Sequence, residues 1–383
     1  MRPLFSVLVI SFSLAASAAA VPDRFQTIAR QADTARSQER LPEAIRLYRE
    51  GTHLRPSWAD GWWYLGSLLY DQDRFSEAGA AFQHLLTNPS HSGPAHAFLG
   101  LCEYETGQFD DGLAQFRAWA GAGWAGPPEF RDVAIFHFAL LLTREGRFAE
   151  SLYLISPLAQ RLGDNPELVE AMGLPSLRMA YLPENYPPER RERIWLAGKA
   201  AVYAALNPND FERADEYAAR LESRYGTQPD VHYFRGTLYG FEGKKTEAER
   251  EYREELKITP DHAPALVALA TIDLEKGDFD EGGKMAQRAV DADPNNAEAH
   301  HLLGRVYLAN GNLRASAAEL EKAKQIAPDI AEVRSHLAMV YMKLGRVQEA
   351  KAESAAFLAL KNKEDVMATA TQKLGKNQQE STH

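Results

Sequence analysis

The sequence predicts an all-α fold in which antiparallel helical hairpins stack one after another along the chain. Three observations lead to it. Four stretches beginning at Pro229, Ala263, Ala297 and Ala331 superpose without a gap at an interval of 34 residues. Within them, apolar and small residues recur at steps of three and four, which places them on one face of a helix. Each stretch is also interrupted near its middle, as at Asn310-Gly311-Asn312, and Pro328 disfavours a further turn at the end of the third. One hairpin cannot bury its apolar face alone, so neighbours must stack into a solenoid.

The stretch from Ala297 shows the pattern most fully. Leu303, Gly304, Val306 and Tyr307 form the apolar and small face of its first helix, and Leu313, Ala317, Leu320 and Ala323 that of its second. His300 stands three residues before Leu303-Gly304, followed by Tyr307, Ser316, Leu320, Ala323 and the closing Pro328. This resembles the tetratricopeptide repeat (TPR), whose pattern is W-x2-L-G-x2-Y, then A-x3-F, then P, at a period of 34 residues. Gly304 is expected where the two helices cross most closely, with Gly66, Gly100 and Gly236 matching it in register and Ala270 and Ala338 the next smallest choice.

In chain order, residues 1–20 read as a secretory signal peptide. One positive charge at Arg2 precedes an apolar run from Leu4 to Ala20, and Ala18 and Ala20 supply the small residues before a cleavage site. The run is short for a membrane span and diluted by serines. Residues 25–159 are expected to form an N-terminal TPR lobe of about four repeats. The first carries Ile28, Ala32, Ala44, Tyr48 and Pro56; the second Trp62, Leu65, Gly66, Ala78 and Phe82; the third Leu99, Gly100, Gly107, Phe109 and Phe116. A fourth, degenerate repeat has Phe138, Ala139, Gly146, Phe148 and Leu158. Residues 160–188, punctuated by five prolines from Pro166 to Pro188, read as an irregular linker with Tyr186-Pro187-Pro188 as its hinge. Residues 189–361 form a C-terminal TPR lobe of one divergent hairpin and the four regular repeats. Beyond it, 362–383 holds a candidate capping helix through Val366, Met367, Ala370 and Leu374, then a polar tail.

Composition narrows the function classes. The chain has 43 Lys and Arg against 53 Asp and Glu, a formal charge of −10, which argues against nucleic acid or an anionic membrane surface as the main partner. The one cysteine, Cys102, excludes an intramolecular disulfide framework or a Cys-based zinc cluster, and its place in a repeat helix marks it as a buried thiol. The usual nucleotide, acyl-transfer, zinc-peptidase and calcium-loop patterns are missing. His84, His91 and His96 fall close together in sequence without an acidic residue that completes a ligand set, so no metal and no cofactor are expected. His300 and His301 fall on different faces of their helix, one packing and one exposed. Trp62, Phe82, Phe116, Tyr252 and Tyr307 take positions that pack TPR helices together and are expected in the core.

The resemblance implies where a partner would bind. In TPR proteins, residues 2, 5, 9 and 12 of each first helix line a concave groove. That count places Trp63 and Tyr70 there in the second repeat, Asp230, Tyr233 and Thr237 in the sixth, and Glu298, His301, Arg305 and Leu308 in the eighth. Of these, Trp63, Tyr70, Tyr233, Thr237, His301 and Arg305 are the expected partner-binding residues. The alternative for the three aromatic rings is packing against neighbouring helices. None of the clear repeats has the Lys and Asn that clamp a C-terminal carboxylate in cochaperone TPR domains. The expectation is an exported TPR solenoid in two lobes, periplasmic or secreted, with no stable membrane insertion after signal cleavage. It would act as a non-enzymatic scaffold or adaptor that binds a protein or peptide and no nucleic acid. The rival is an envelope enzyme or accessory whose catalytic site lies within 160–188, using Asp164, Glu167, Glu170 and Glu184.

Overall fold

The structure is a computed structural model that describes residues 23–124, 128–206 and 211–362. The signal segment and the candidate capping helix lie outside the described residues. Within them the chain is all-α, and no strand occurs. The helices are α1 (Arg24–Ser37), α2 (Leu41–Leu54), α3 (Ala59–Tyr70), α4 (Phe75–Gln83), α5 (Ser92–Glu105), α6 (Phe109–Gly121), α7 (Pro128–Arg144), α8 (Phe148–Leu162) and α9 (Pro166–Ser176). After a 3-10 turn at Pro188–Arg190 come α10 (Arg191–Leu206), α11 (Glu212–Tyr225), α12 (Val231–Phe241), α13 (Lys245–Ile258) and α14 (Ala263–Lys276). The series continues with α15 (Phe279–Ala292), α16 (Ala297–Ala309), α17 (Leu313–Ile326) and α18 (Ala331–Lys343), then a helical run over residues 347–362. The chain divides into two compact units, Met1–Leu141 and Leu142–His383.

In the first unit, the α3–α4 and α5–α6 hairpins are closed by a small residue of the first helix set against a bulky one of the second. A Cβ on Gly66 would lie 2.8 Å from the Phe82 ring, and one on Gly100 would lie 2.9 Å from Phe116. Phe82 and Phe116 are fully buried, as are Tyr48 and Trp119. Only a residue without a side chain admits a ring that close, which outweighs the helix cost of glycine, about 1 kcal/mol relative to Ala. Trp62 departs from its expected core position. It is half-buried, stacked 3.9 Å from His84, with its indole N–H donating to the Pro56 carbonyl. Cys102 is buried as expected, and burial pushes its thiol up to about 12.

The same device recurs in the second unit. A Cβ on Gly236 would lie 2.6 Å from the Tyr252 ring and one on Gly304 would lie 2.7 Å from Leu320, again at the same sequence interval. Tyr252 is buried, while Tyr307, also expected in the core, is half-buried. The turns inside the hairpins are equally regular. Gly243, Gly277, Gly311 and Gly345 have φ between 71° and 82°, the left-handed region that glycine enters without a Cβ penalty. In the first unit Gly107 does the same, but Glu39 and Asp73 hold the corresponding corners at φ 56° and 57°.

The expected linker at 160–188 is different in the structure. Its prolines start and shape a helix instead of preventing one. Pro166 opens α9 at a position where no N–H is needed, and the Asn165 side chain accepts from Glu167 N–H and Leu168 N–H at 2.9 and 3.1 Å. Helix α9 crosses α10 through a reciprocal glycine contact, in which Gly173 lies against the Ile194 carbonyl and Gly198 against the Val169 carbonyl. Leu168, Val169 and Met172 are buried, and so are Leu177, Leu182 and Tyr186 beyond the helix. The stretch is therefore packed structure within the second unit.

Helix α12 is capped in an unusual way. Its N-cap Asp230 is left-handed, with φ 70°, and makes no side-chain cap. The fully buried Glu255 of α13 takes over, its carboxylate accepting from Asp230 N–H at 3.0 Å and Tyr233 N–H at 3.2 Å. A carboxylate there also suits the positive end of the helix dipole.

Candidate partner-binding face

The six expected groove residues fall into three environments. Trp63 and Tyr70 share one face of α3 but are half-buried. The Trp63 ring meets Phe98 edge-on at 5.2 Å and Phe82 at 5.7 Å; Tyr70 meets Phe75 at 5.3 Å and Phe98 at 5.7 Å. Burial pushes the Tyr70 hydroxyl up to about 12. Phe98 itself stacks on Phe130 at 3.7 Å. Both rings thus pack on the aromatic core of the first unit, the alternative that the sequence left open for them.

Tyr233 and Thr237 lie on α12. The Thr237 hydroxyl is spent on its own helix, donating to the Tyr233 carbonyl at 2.9 Å. Tyr233 packs between Tyr252, at 5.8 Å, and His262, at 5.0 Å, and the Arg178 guanidinium lies 6.0 Å from its ring. Arg178 follows α9, in the stretch expected to be a linker. It also lies 4.9 Å from the Phe148 ring and 3.6 Å from Asp230, which His262 holds at 2.9 Å. The chain's own Arg178 therefore sits where a groove at α12 would be open.

His301 and Arg305 lie on α16. The expectation that one of His300 and His301 is exposed does not hold, because both are buried. His300 is held by Glu319 at 2.7 Å and the Pro294 carbonyl at 3.0 Å. On the other side of the helix, His301 Nε2 meets His336 Nδ1 of α18 at 3.1 Å. Arg305 is half-buried and adds a positive charge near His336. The groove count, continued from Ala331, falls on Met339 and Met342 of α18, which are 48% and 54% exposed. This pair, in a repeat outside the expected groove residues, is the most accessible apolar pair on that face.

The three histidines close in sequence go to separate partners: His84 to Trp62, His91 to Asn88 and Asp60, and His96 to Gln115. A different set, Glu222, His232 and Glu251, brings ligand-type atoms within 4.8 Å of one another. Cations already occupy it. Arg235 Nε lies 3.0 Å from Glu222, Arg250 lies 2.9 Å from Glu251, and His232 meets Glu251 at 2.7 Å. The hydrogen bond to Glu251 raises the His232 pKa, which favours a charged imidazolium over a neutral ligand. The set is a charge-balanced network that ties α11, α12 and α13 together.

Among the acids of 160–188, Asp164 and Glu170 are shifted in opposite directions. Burial alone would raise Asp164, but hydrogen bonds from Lys199 and Tyr203 hold it below its usual value. Burial raises Glu170, with nearby Arg191 opposing and Glu184 adding to the shift.

Comparisons with known proteins match parts of the chain. Two family models described as tetratricopeptide repeat match the chain, one over residues 242–306 and 273–335, the other over 30–93. The chain is an all-α TPR solenoid. A curated relative, the probable biofilm formation methyltransferase WspC of Pseudomonas putida KT2440, is 31% identical over 93 residues. The match covers 24% of this chain and 22% of that protein. Among solved structures, a MamA fragment (41-end) from Desulfovibrio magneticus RS-1 is 18% identical with a TM-score of 0.39, over 47% of this chain and 98% of that one. YrrB, described as a TPR protein with an unusual peptide-binding site, is 17% identical with a TM-score of 0.37, over 48% of this chain and 94% of its own. Among the described residues, no helix is long and apolar enough to cross a membrane.

Proposed function

We propose that this TPR solenoid is a non-enzymatic scaffold that acts outside the cytoplasm and binds a peptide or helix of a protein partner along the inner face of its C-terminal repeats. The supporting observation is the exposure of Met339 and Met342 on the face of α18 that the groove count selects, with Arg305 on α16. Methionine is flexible and polarisable, so an exposed pair adapts to an apolar partner surface at little cost. Arg305 supplies a charge and a fork of donors that would orient it. Trp63, Tyr70, Tyr233, Thr237 and His301 are each engaged within the chain, so none of them is assigned to this face.

The reading is tested by capture from envelope extract with the mature chain and with Met339→Glu plus Met342→Glu. A partner lost from the variant while its thermal melt stays within a degree or two of wild type supports the face. Equal capture by both chains removes it. The location is tested separately by N-terminal sequencing of the exported product, expected to begin near Val21; an intact segment from Leu4 to Ala20 would replace export in free form with anchoring.

A further inference from the structure

We propose that an open cavity on the α2 side of the first unit is a separate docking site, one that holds an extended peptide segment carrying acidic side chains beside apolar ones. The cavity has a volume of about 520 Å³. Pro42, Ile45, Arg46, Arg49 and His53 line it from α2, with Glu50 among them, and Gln72 and Arg74 close it from the corner between α3 and α4. The α2 positions recur at steps of three and four, so they form one stripe along a single helix. From Pro42 to His53 that stripe rises roughly 16 Å, at about 1.5 Å per residue. It matches the length of about five residues of extended chain.

The rim is positively charged, and the chain does not neutralise it. Glu50 is shared by Arg24 at 2.8 Å and Arg46 at 3.7 Å, and Glu77 by Arg49 and Arg74, each at 2.7 Å. Four guanidinium groups therefore share two carboxylates, on a chain whose formal charge is −10. Arg40 is balanced separately by Glu43, and Asp71 and Asp73 lie outside the lining. The Arg46 side chain is 64% exposed and, at 3.7 Å from Glu50, is not hydrogen-bonded to it, so its donors are open to a ligand.

Another repeat carries the counter-ion that is missing here. Counted from the first residue of the helix, Ile45 and Arg49 of α2 correspond to Glu249 and Arg253 of α13. There Glu249 pairs with Arg253 and with Lys276, each at 2.6 Å. Isoleucine at that place removes the internal carboxylate and, beside Pro42, gives the cavity an apolar wall. A carboxylate brought by a partner supplies the charge, and a neighbouring apolar side chain covers the wall. The existing pairs lie at the surface, where ion pairs hold weakly, so they can re-form around a ligand. A recess of this size takes side chains, whereas a flat anionic membrane would meet only its rim. The site is built on α2, and the partner face of the proposed function on α16 and α18, so neither reading rests on the other.

The test uses the full chain and a fluorescently labelled, acetylated Glu-Leu-Glu-Leu-Glu peptide, read by anisotropy. Wild type is compared with Arg46→Gln, with Arg46→Gln plus Arg49→Gln, and with Arg314→Gln, which removes an exposed charge on α17. Saturable binding at low salt is expected, weakened about tenfold by each arginine removed from the cavity and unchanged by Arg314→Gln. The same peptide with glutamine in place of glutamate should bind wild type about tenfold or more weakly, a comparison that needs no variant chain. Absence of saturable binding, or equal binding by wild type and the cavity variants, overturns the site. Loss of binding in Met339→Glu plus Met342→Glu would move the peptide to the other face and also overturn it, whereas unchanged binding there supports it. Sedimentation of wild type with phosphatidylglycerol vesicles, without peptide binding, would assign the charge to a membrane surface instead.

Discussion

A methyl group added at Gly304 should destabilise the fold, while the same methyl at Gly240 should stabilise it. Both glycines are helical and neither has positive φ, so replacement by Ala brings the same gain in helix propensity, up to about 1 kcal/mol. Their surroundings differ. At Gly304 the new Cβ would lie 2.7 Å from Leu320 Cγ and 2.9 Å from its Cδ2. Cγ is the branch point of a fully buried side chain, so the clash cannot be relieved at a flexible tip. Overpacking of this kind costs about 1–3 kcal/mol, leaving Gly304→Ala a net destabilisation of about 0–2 kcal/mol. At Gly240 the nearest atom is the Tyr252 hydroxyl at 3.8 Å, ordinary contact, so propensity alone remains. Urea unfolding followed by circular dichroism should therefore separate the two variants by about 1–3 kcal/mol. Leu320→Ala in the Gly304→Ala background should recover a coupling energy of about 1–3 kcal/mol in a double-mutant cycle, because the Cβ then has room. Two variants of equal stability, or a coupling near zero, would refute the close crossing and with it the repeat register.

Three further outcomes are expected. Glu39 holds a left-handed corner where six of the other repeat corners have glycine, so Glu39→Gly should stabilise the first unit by about 1 kcal/mol in thermal or urea melts. Removing the buried cap with Glu255→Ala leaves the N–H groups of Asp230 and Tyr233 unpaired, at about 1–3 kcal/mol, and should speed amide exchange in the first turn of α12 more than elsewhere. Glu103 is pushed up to about 7, first by burial and then by Asp111, and its Oε2 has no hydrogen-bond partner. Because its ordinary value is about 4.3, the folded chain binds more protons between these values, and the Glu103 contribution to stability falls as pH rises through that window. Glu103→Gln should flatten this part of the pH profile and be the more stable chain at pH 8.

The repeats were legible because their signals are local: the corner glycines, the small residue at each crossing and its bulky partner recur at fixed intervals, as at Gly66 with Phe82 and Gly304 with Leu320. The stretch before α10 was not, because proline has two meanings. Counted as punctuation, Pro166 and Pro175 suggest a linker; placed at the first turn and near the end of a helix, they fit α9. The reciprocal pair Gly173 and Gly198, each four residues from the residue whose carbonyl its counterpart touches, was the available signal. Counting positions along α16 selects its face, but burial depends on what α18 brings to it. His301 was therefore assigned to the right helix side and the wrong environment, since His336 covers it. Arg178 covers Tyr233 for the same reason, from a segment that no repeat count includes.

Cys102 makes the first unit its own reporter. The chain has one thiol, enclosed among packed side chains of α5, so a maleimide or disulfide reagent can reach it only during an excursion that exposes that helix. In the regime where such excursions close faster than the reagent reacts, the labelling rate divided by that of a free thiol is the open fraction. A single modification detected by mass thus times the opening of α5 without a dye, a tag or a substitution, while the larger unit stays silent.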